Sequence, residues 1–207
     1  MEEMGHQHIR RIRHASRPEV HNGPVHVTIR IRAGLPNMRT PRAYRKLERA
    51  FRKGNARAGF SLVQYAVLRN HMHLFVNAAD KASLAKGMQG LKVRIARALN
   101  KHWHRKGTLF FDRYHMRVIE PTVYQVKKVL RYVLQNARKH GISVPEGEAD
   151  PYSSAPWFNW WQKRTMKRPL RSPPVADPFC FATDIARVHG LDIDDLPGPR
   201  LHLDPIW

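Results

Sequence analysis

Hydrophobic and polar positions alternate along Val25-His26-Val27-Thr28-Ile29-Arg30-Ile31. A period of two in β-branched residues predicts a strand with one buried face. Gly34-Leu35-Pro36-Asn37 reads as a turn. Thr40-Pro41 carries the signature of a helix start, Thr as N-cap and Pro at the first helical position. That helix is expected to reach about Arg57, with Tyr44, Leu47 and Phe51 on one face. Phe60 to Leu68 and His71 to Val76 predict a second and a third strand, hairpin-paired through Arg69-Asn70. Leu84, Met88, Leu91, Ile95, Leu99 and Trp103 recur at helical spacing and predict a long helix from Ser83 to about Trp103. A further extended stretch is expected from Leu109 to about Ile119. Pro121 opens the last helix, expected to run to about Lys139 and to stop at Gly141.

The order β-α-β-β-α-β-α predicts an α+β fold, a ferredoxin-like antiparallel sheet with helices packed mainly on one side. Three regions are expected: a basic tail at 1–22 containing Arg10-Arg11-Ile12-Arg13, a folded unit at 23–141, and an extension at 142–207. Ten of the fifteen prolines lie beyond Gly141, with Trp157, Trp160, Trp161 and the basic run Lys163-Arg164…Lys167-Arg168. This extension is expected to lie over the core or to be partly disordered.

Charge changes the picture most. Lys and Arg number 37 against 16 Asp and Glu, a formal net of +21 with a pI near 11.0. Such an excess points to a polyanion or a membrane surface. No apolar run approaches the roughly 20 residues of a spanning helix, and the N-terminus has no apolar signal core. Nucleic acid is therefore the expected partner, with no membrane. Arg42, Arg45, Arg49, Arg94, Arg97, Arg113 and Arg117 are candidate phosphate contacts; a solvated face is the alternative for each. The single cysteine, Cys180, excludes a disulfide within a monomer and points to the reducing cytoplasm.

Candidate chemistry sits in two elements. His71 and His73 are two apart in a predicted strand, so both imidazoles point the same way, half of a divalent-metal site. A core-packing role is the alternative. On the last helix, Val123, Val126, Leu130, Val133, Leu134 and Ala137 form an apolar stripe. Tyr132 is expected nearly opposite that stripe, with Asn136 one turn later on the same side. A packing tyrosine and a polar helix end are the alternative there. Tyr114 and Tyr124 are rival hydroxyls. Trp157, Trp160 and Trp161 either stack on unpaired bases or pack the extension onto the core.

Four motifs occur in order: Asn70-His71-Met72-His73-Leu74-Phe75-Val76; Gly90-Leu91-Lys92…Ala96-Arg97-Ala98-Leu99-Asn100; Phe111-Asp112-Arg113-Tyr114-His115; and Tyr132-Val133-Leu134-Gln135-Asn136-Ala137-Arg138-Lys139-His140-Gly141. Together they resemble the IS200-like transposases, most closely the REP-associated tyrosine transposase branch, over residues 22–160. The resemblance implies single-tyrosine HUH chemistry on single-stranded DNA. It implies Tyr132 as nucleophile, His71, His73 and Asn136 as ligands of magnesium or manganese, and a homodimer that recognises short imperfect hairpins. A tyrosine hydroxyl has a pKa near 10, so such chemistry needs a metal or a base close by. The segment from about Pro174 to Trp207 falls outside the resemblance. A nucleic-acid binder that keeps the fold without the chemistry remains the alternative, and a replication initiator or relaxase a third class.

Overall fold

The computed structural model describes residues 16–162, 165, 167, 169, 170, 172–175 and 190–194. The basic cluster at 10–13, Cys180 and the pairs Lys163-Arg164 and Lys167-Arg168, in whole or in part, lie outside the described residues.

Strand β1 (His21–Arg30) is paired on both sides. It starts four residues before the alternating run, because His21 to Pro24 continue the ladder against the far end of β4. Helix α1 (Pro41–Gly54) begins at the expected cap, where the Thr40 side chain accepts from the Ala43 N–H. It ends earlier than expected. Ala56-Arg57 form a short strand, β2, that folds back on β3 (Phe60–Val67) through Gly59, whose φ of +71° suits glycine. Strand β4 (His71–Asp80) runs on to Asp80, whose carboxylate accepts from the Ser83 N–H and starts α2 (Lys81–His102). The stretch after α2 yields only β5 (His115–Val118); Phe110 makes a single bridge to Ile31.

The sheet order is β2-β3-β4-β1-β5, every pair antiparallel. The crossovers β1-α1-β3 and β4-α2-β5 each skip one strand, the ferredoxin-like arrangement expected from the element order. Helices α1 and α2 pack on one face, over Val25, Val27, Ile29, Met72, Leu74 and Val76. A register shift between Leu62 and Gln64 lets β3 give Leu62, Tyr65 and Val67 to that face and Val63 and Ala66 to the other, where Leu68 joins them just after the strand.

The other face is covered as well. Helix α3 (Val123–Leu134) lies on it, with Val126, Val129, Leu130 and Val133 against Phe75 and Ala66. Phe158, Trp161, Leu191 and Ile193 from the extension complete this second core. Trp157 and Trp161 are buried, so the packing reading holds for both. The extension also covers the open edge of β3: Val67 N–H donates to Tyr152 O and Ser154 N–H to Tyr65 O. Arg39 ties the two halves together, gripping both oxygens of Asp150 at 2.8 and 2.9 Å. Residues Trp161-Gln162 (β6) and Leu191-Asp192 (β7) pair in parallel. Among the described residues no helix is long and apolar enough to cross a membrane.

Candidate functional site

Register builds the site. In β4 the side chains of Met72, Leu74 and Val76 enter the α1–α2 core, which turns His71 and His73 to the α3 face. Their rings stand edge-on with centroids 5.0 Å apart. On β1, Thr28 lies opposite His73 and Arg30 opposite His71, so His26 and Thr28 share this face. His73 Nδ1 sits 3.1 Å from His26 Nε2 and 3.2 Å from Thr28 Oγ1. His73 is 1% exposed, and its Nε2 is buried with no partner among the described residues. Burial, and then the neighbouring His26, push its pKa well below the ordinary histidine value. The ring is therefore neutral and keeps a lone pair. His71 is only half-buried; its Nδ1 lies 2.9 Å from Asn70 Oδ1.

The last helix departs from the sequence expectation in two ways. It breaks at Gln135, so α3 stops at Leu134 and a short helix α4 (Asn136–Lys139) follows. The Gln135 side chain reaches away to donate to the carbonyls of Asp192 and Ile193, and φ/ψ there are −110°/18°. The second departure concerns Tyr132. Expected nearly opposite the apolar stripe, it is instead fully buried, in the same core cluster as Val126, Val129, Leu130 and Val133. Its ring meets His73 edge-on at 5.2 Å and His26 at 5.5 Å. The Lys139 ammonium lies 4.3 Å from the ring centre. Asn136 is also fully buried. Its amide donates to the Tyr132 carbonyl, and its Oδ1 has no partner among the described residues.

Three residues at this site escaped sequence reasoning. His140 joins His71 and His73 in a group whose possible ligand atoms lie within 4.8 Å of one another. Its ring is 5.2 Å from that of His71. His26 and Thr28 were visible only as polar positions of an alternating strand. The rival tyrosines lie elsewhere: Tyr124 is 68% exposed, and Tyr114 is buried under the Arg17 guanidinium.

The seven arginines divide. Arg42, Arg45 and Arg49 line a groove on the helix face with Lys46, His102 and His104. Arg94 and Arg97 are exposed on α2, and Arg113 is half-buried before β5. Arg117 is exposed on β5 opposite His26, on the face that carries the histidines.

Two unpartnered buried atoms, a neutral imidazole nitrogen and an amide oxygen, are hard-to-intermediate donors of the kind that hold a divalent ion. The arrangement can therefore bring a cation and a phenol together on one side of the sheet.

Comparison with known proteins follows the same lines. Residues 20–136 match the family model "Transposase IS200 like". The fold is similar to the solved structure of the REP-associated tyrosine transposase bound to a REP hairpin, with a TM-score of 0.57 and 19% identity over 69% of this chain and 82% of that one. A Deinococcus radiodurans R1 protein assigned as a transposase aligns with a TM-score of 0.40 and 19% identity, over 57% of this chain and 95% of that one. No curated protein matches the chain. With more than half of its length matched by the family model, the chain belongs to the IS200-like transposase family.

Proposed function

We propose that this protein cleaves and rejoins single-stranded DNA, with Tyr132 as nucleophile, in the manner of the REP-associated branch. The observation that carries the reading is the edge-on contact of Tyr132 with His73, whose Nε2 is buried and unpartnered. His71, His73 and Asn136 would hold magnesium or manganese, and His140 stands close enough to His71 and His73 to be a further ligand. A bound divalent ion would neutralise charge on the scissile phosphate and polarise phosphorus.

The protein's own part is positional. Tyr132 Oη forms a bond to phosphorus, the P–O3′ bond breaks, and the 3′ oxygen leaves as a hydroxyl after taking a proton. The 5′ end stays on the tyrosine, so the bond energy is kept for rejoining. Lys139 places positive charge over the Tyr132 ring, which favours the phenolate over the phenol. Because Tyr132 contacts the histidines of its own chain, we assign it to its own subunit's site; the homodimer implied by the resemblance is then not needed for the chemistry. Arg42, Arg45, Arg49, Arg94, Arg97, Arg113 and Arg117 would contact DNA, hairpin DNA included. Residues 23–141 would form the catalytic unit, acting in the cytoplasm, with the described part of the 142–207 extension packed against it.

Full burial of Tyr132 supports a second reading, a DNA binder that keeps the fold and not the chemistry. In the first reading the site opens locally when DNA enters. Incubation with labelled hairpin DNA and manganese separates the two. An SDS-stable protein–DNA adduct is expected from the wild type and from Tyr124→Phe, and none from Tyr132→Phe. Adducts of equal yield from wild type and Tyr132→Phe would remove Tyr132 from the chemistry, and no adduct from any protein would favour the binder.

A further inference from the structure

A second cleft of about 430 Å³ opens on the opposite face of the sheet from the histidines, between the outer side of α2 and the loop that leads into β5. Its wall is apolar, with Ala85, Val93 and Ala96 from α2. Val93 is 42% exposed on this wall. Two cations enter from the rim. The Arg17 guanidinium lies 3.8 Å from the centre of the Tyr114 ring, and Lys92 Nζ lies 4.7 Å from that of Phe110.

Lys92 donates to the Asp112 backbone carbonyl at 3.3 Å, whereas Arg17 Nε is buried with no partner among the described residues. Burial, and then the nearby Arg17, lower the Lys92 pKa, with Asp112 opposing. Two cations side by side, each over an aromatic ring, make a basic rim that suits an anion. The apolar slot beside them, with Gln89 and Thr108 also on its lining, suits a base and its phosphate.

We propose that this cleft seats one unpaired nucleotide of a DNA strand, its base on Val93 and Ala96 and its phosphate between Arg17 and Lys92. The inference rests on single-stranded DNA as the substrate, but not on Tyr132 chemistry. Topology links cleft and histidines. Edge strand β5 turns Met116 and Val118 toward the helix face and packs them there. His115 and Arg117 point to the other face, opposite Thr28 and His26. A strand seated in the cleft and passing over β5 arrives beside His73. The cleft then grips a nucleotide flanking the one to be cut.

The test is equilibrium binding of a fluorescent, unstructured oligonucleotide, without metal. The double variant Arg17→Gln/Lys92→Met is expected to weaken binding about tenfold or more. A charge-matched control, Lys53→Gln/Lys101→Gln on exposed positions outside the cleft, is expected to weaken it far less. Val93→Asp, a surface change that puts a like charge against the phosphate, should reproduce the loss if the double variant is unstable. An abasic nucleotide at one position should cost the wild type affinity and cost the variants nothing further. Equal losses from the double variant and the control would overturn the proposal, as would an equal loss on fully duplex DNA. Because no adduct is measured, failure here leaves the Tyr132 reading intact, and the reverse holds as well.

Discussion

At the scale of single residues, His26 is the side chain whose role geometry defines most closely. Its ring is stacked on that of His73 with planes 12° apart and centroids at 5.2 Å. A neutral imidazole has one nitrogen that donates and one that accepts. For His73 to offer the lone pair of its unpartnered Nε2, its proton must be on Nδ1. That N–H then points at His26 Nε2 and Thr28 Oγ1, which must accept. His26 is thus a positioning residue that selects the tautomer of His73 and holds its ring. Partners of this kind are commonly worth 10–100-fold in metal affinity. His26→Phe is expected to weaken manganese binding by about that factor in calorimetry. His26→Gln, which keeps an acceptor oxygen, should recover most of the loss. Identical affinities for wild type and both variants would show that Thr28 alone suffices.

At the scale of elements, the seat of α2 on the sheet rests on an absent side chain. Gly87 is buried against the Phe60 ring, and a Cβ there would meet Phe60 Cγ at 2.2 Å. Phe60 is 1% exposed and cannot swing away. Helix propensity alone favours Ala over Gly by about 1 kcal/mol, yet overpacking a core costs about 1–3 kcal/mol. Gly87→Ala is therefore expected to destabilise in urea unfolding. Gly90→Ala, one turn on, would meet Arg94 Nη1 at 3.0 Å, the far end of a flexible side chain, and should be neutral or stabilising. Two changes of the same type on one helix thus have opposite expected signs, and matching signs would show that helix position, not Phe60, decides. The facing of His71 and His73 was legible because a strand's period leaves one choice once Met72, Leu74 and Val76 are core. The break after Leu134 was not. Gln135 is a good helix former, and the carbonyls that capture it are 57 and 58 residues away. Tyr132 was read as nearly opposite the apolar stripe, yet it is buried in that stripe's own cluster, because a helical wheel gives direction and not neighbours. Its neighbours His26 and His73 stand 47 residues apart in sequence and meet only through the β1–β4 register.

At the scale of the whole molecule, a net charge of +21 raises the self-repulsion of the folded state, so its retention implies a use. The charge is not confined to the histidine face. Arg42, Arg45, Lys46, Arg49, His102 and His104 converge on a groove of about 550 Å³ on the helix side. Affinity from such a groove is carried by counterion release, and each duplex phosphate contacted adds about 0.9 to the slope of log K against log salt. If the groove holds a hairpin stem, Arg42→Gln/Arg45→Gln/Arg49→Gln should lower that slope by about 2–3. The two affinities should converge as salt rises, because the lost interaction is the one that salt screens. The rate of adduct formation at saturating DNA should be unchanged, since the groove lies across the sheet from Tyr132. An unchanged slope would place the stem elsewhere. A lower slope together with a slower reaction at saturation would mean that the groove also orients the strand, and that the two faces of the sheet act on one continuous piece of DNA.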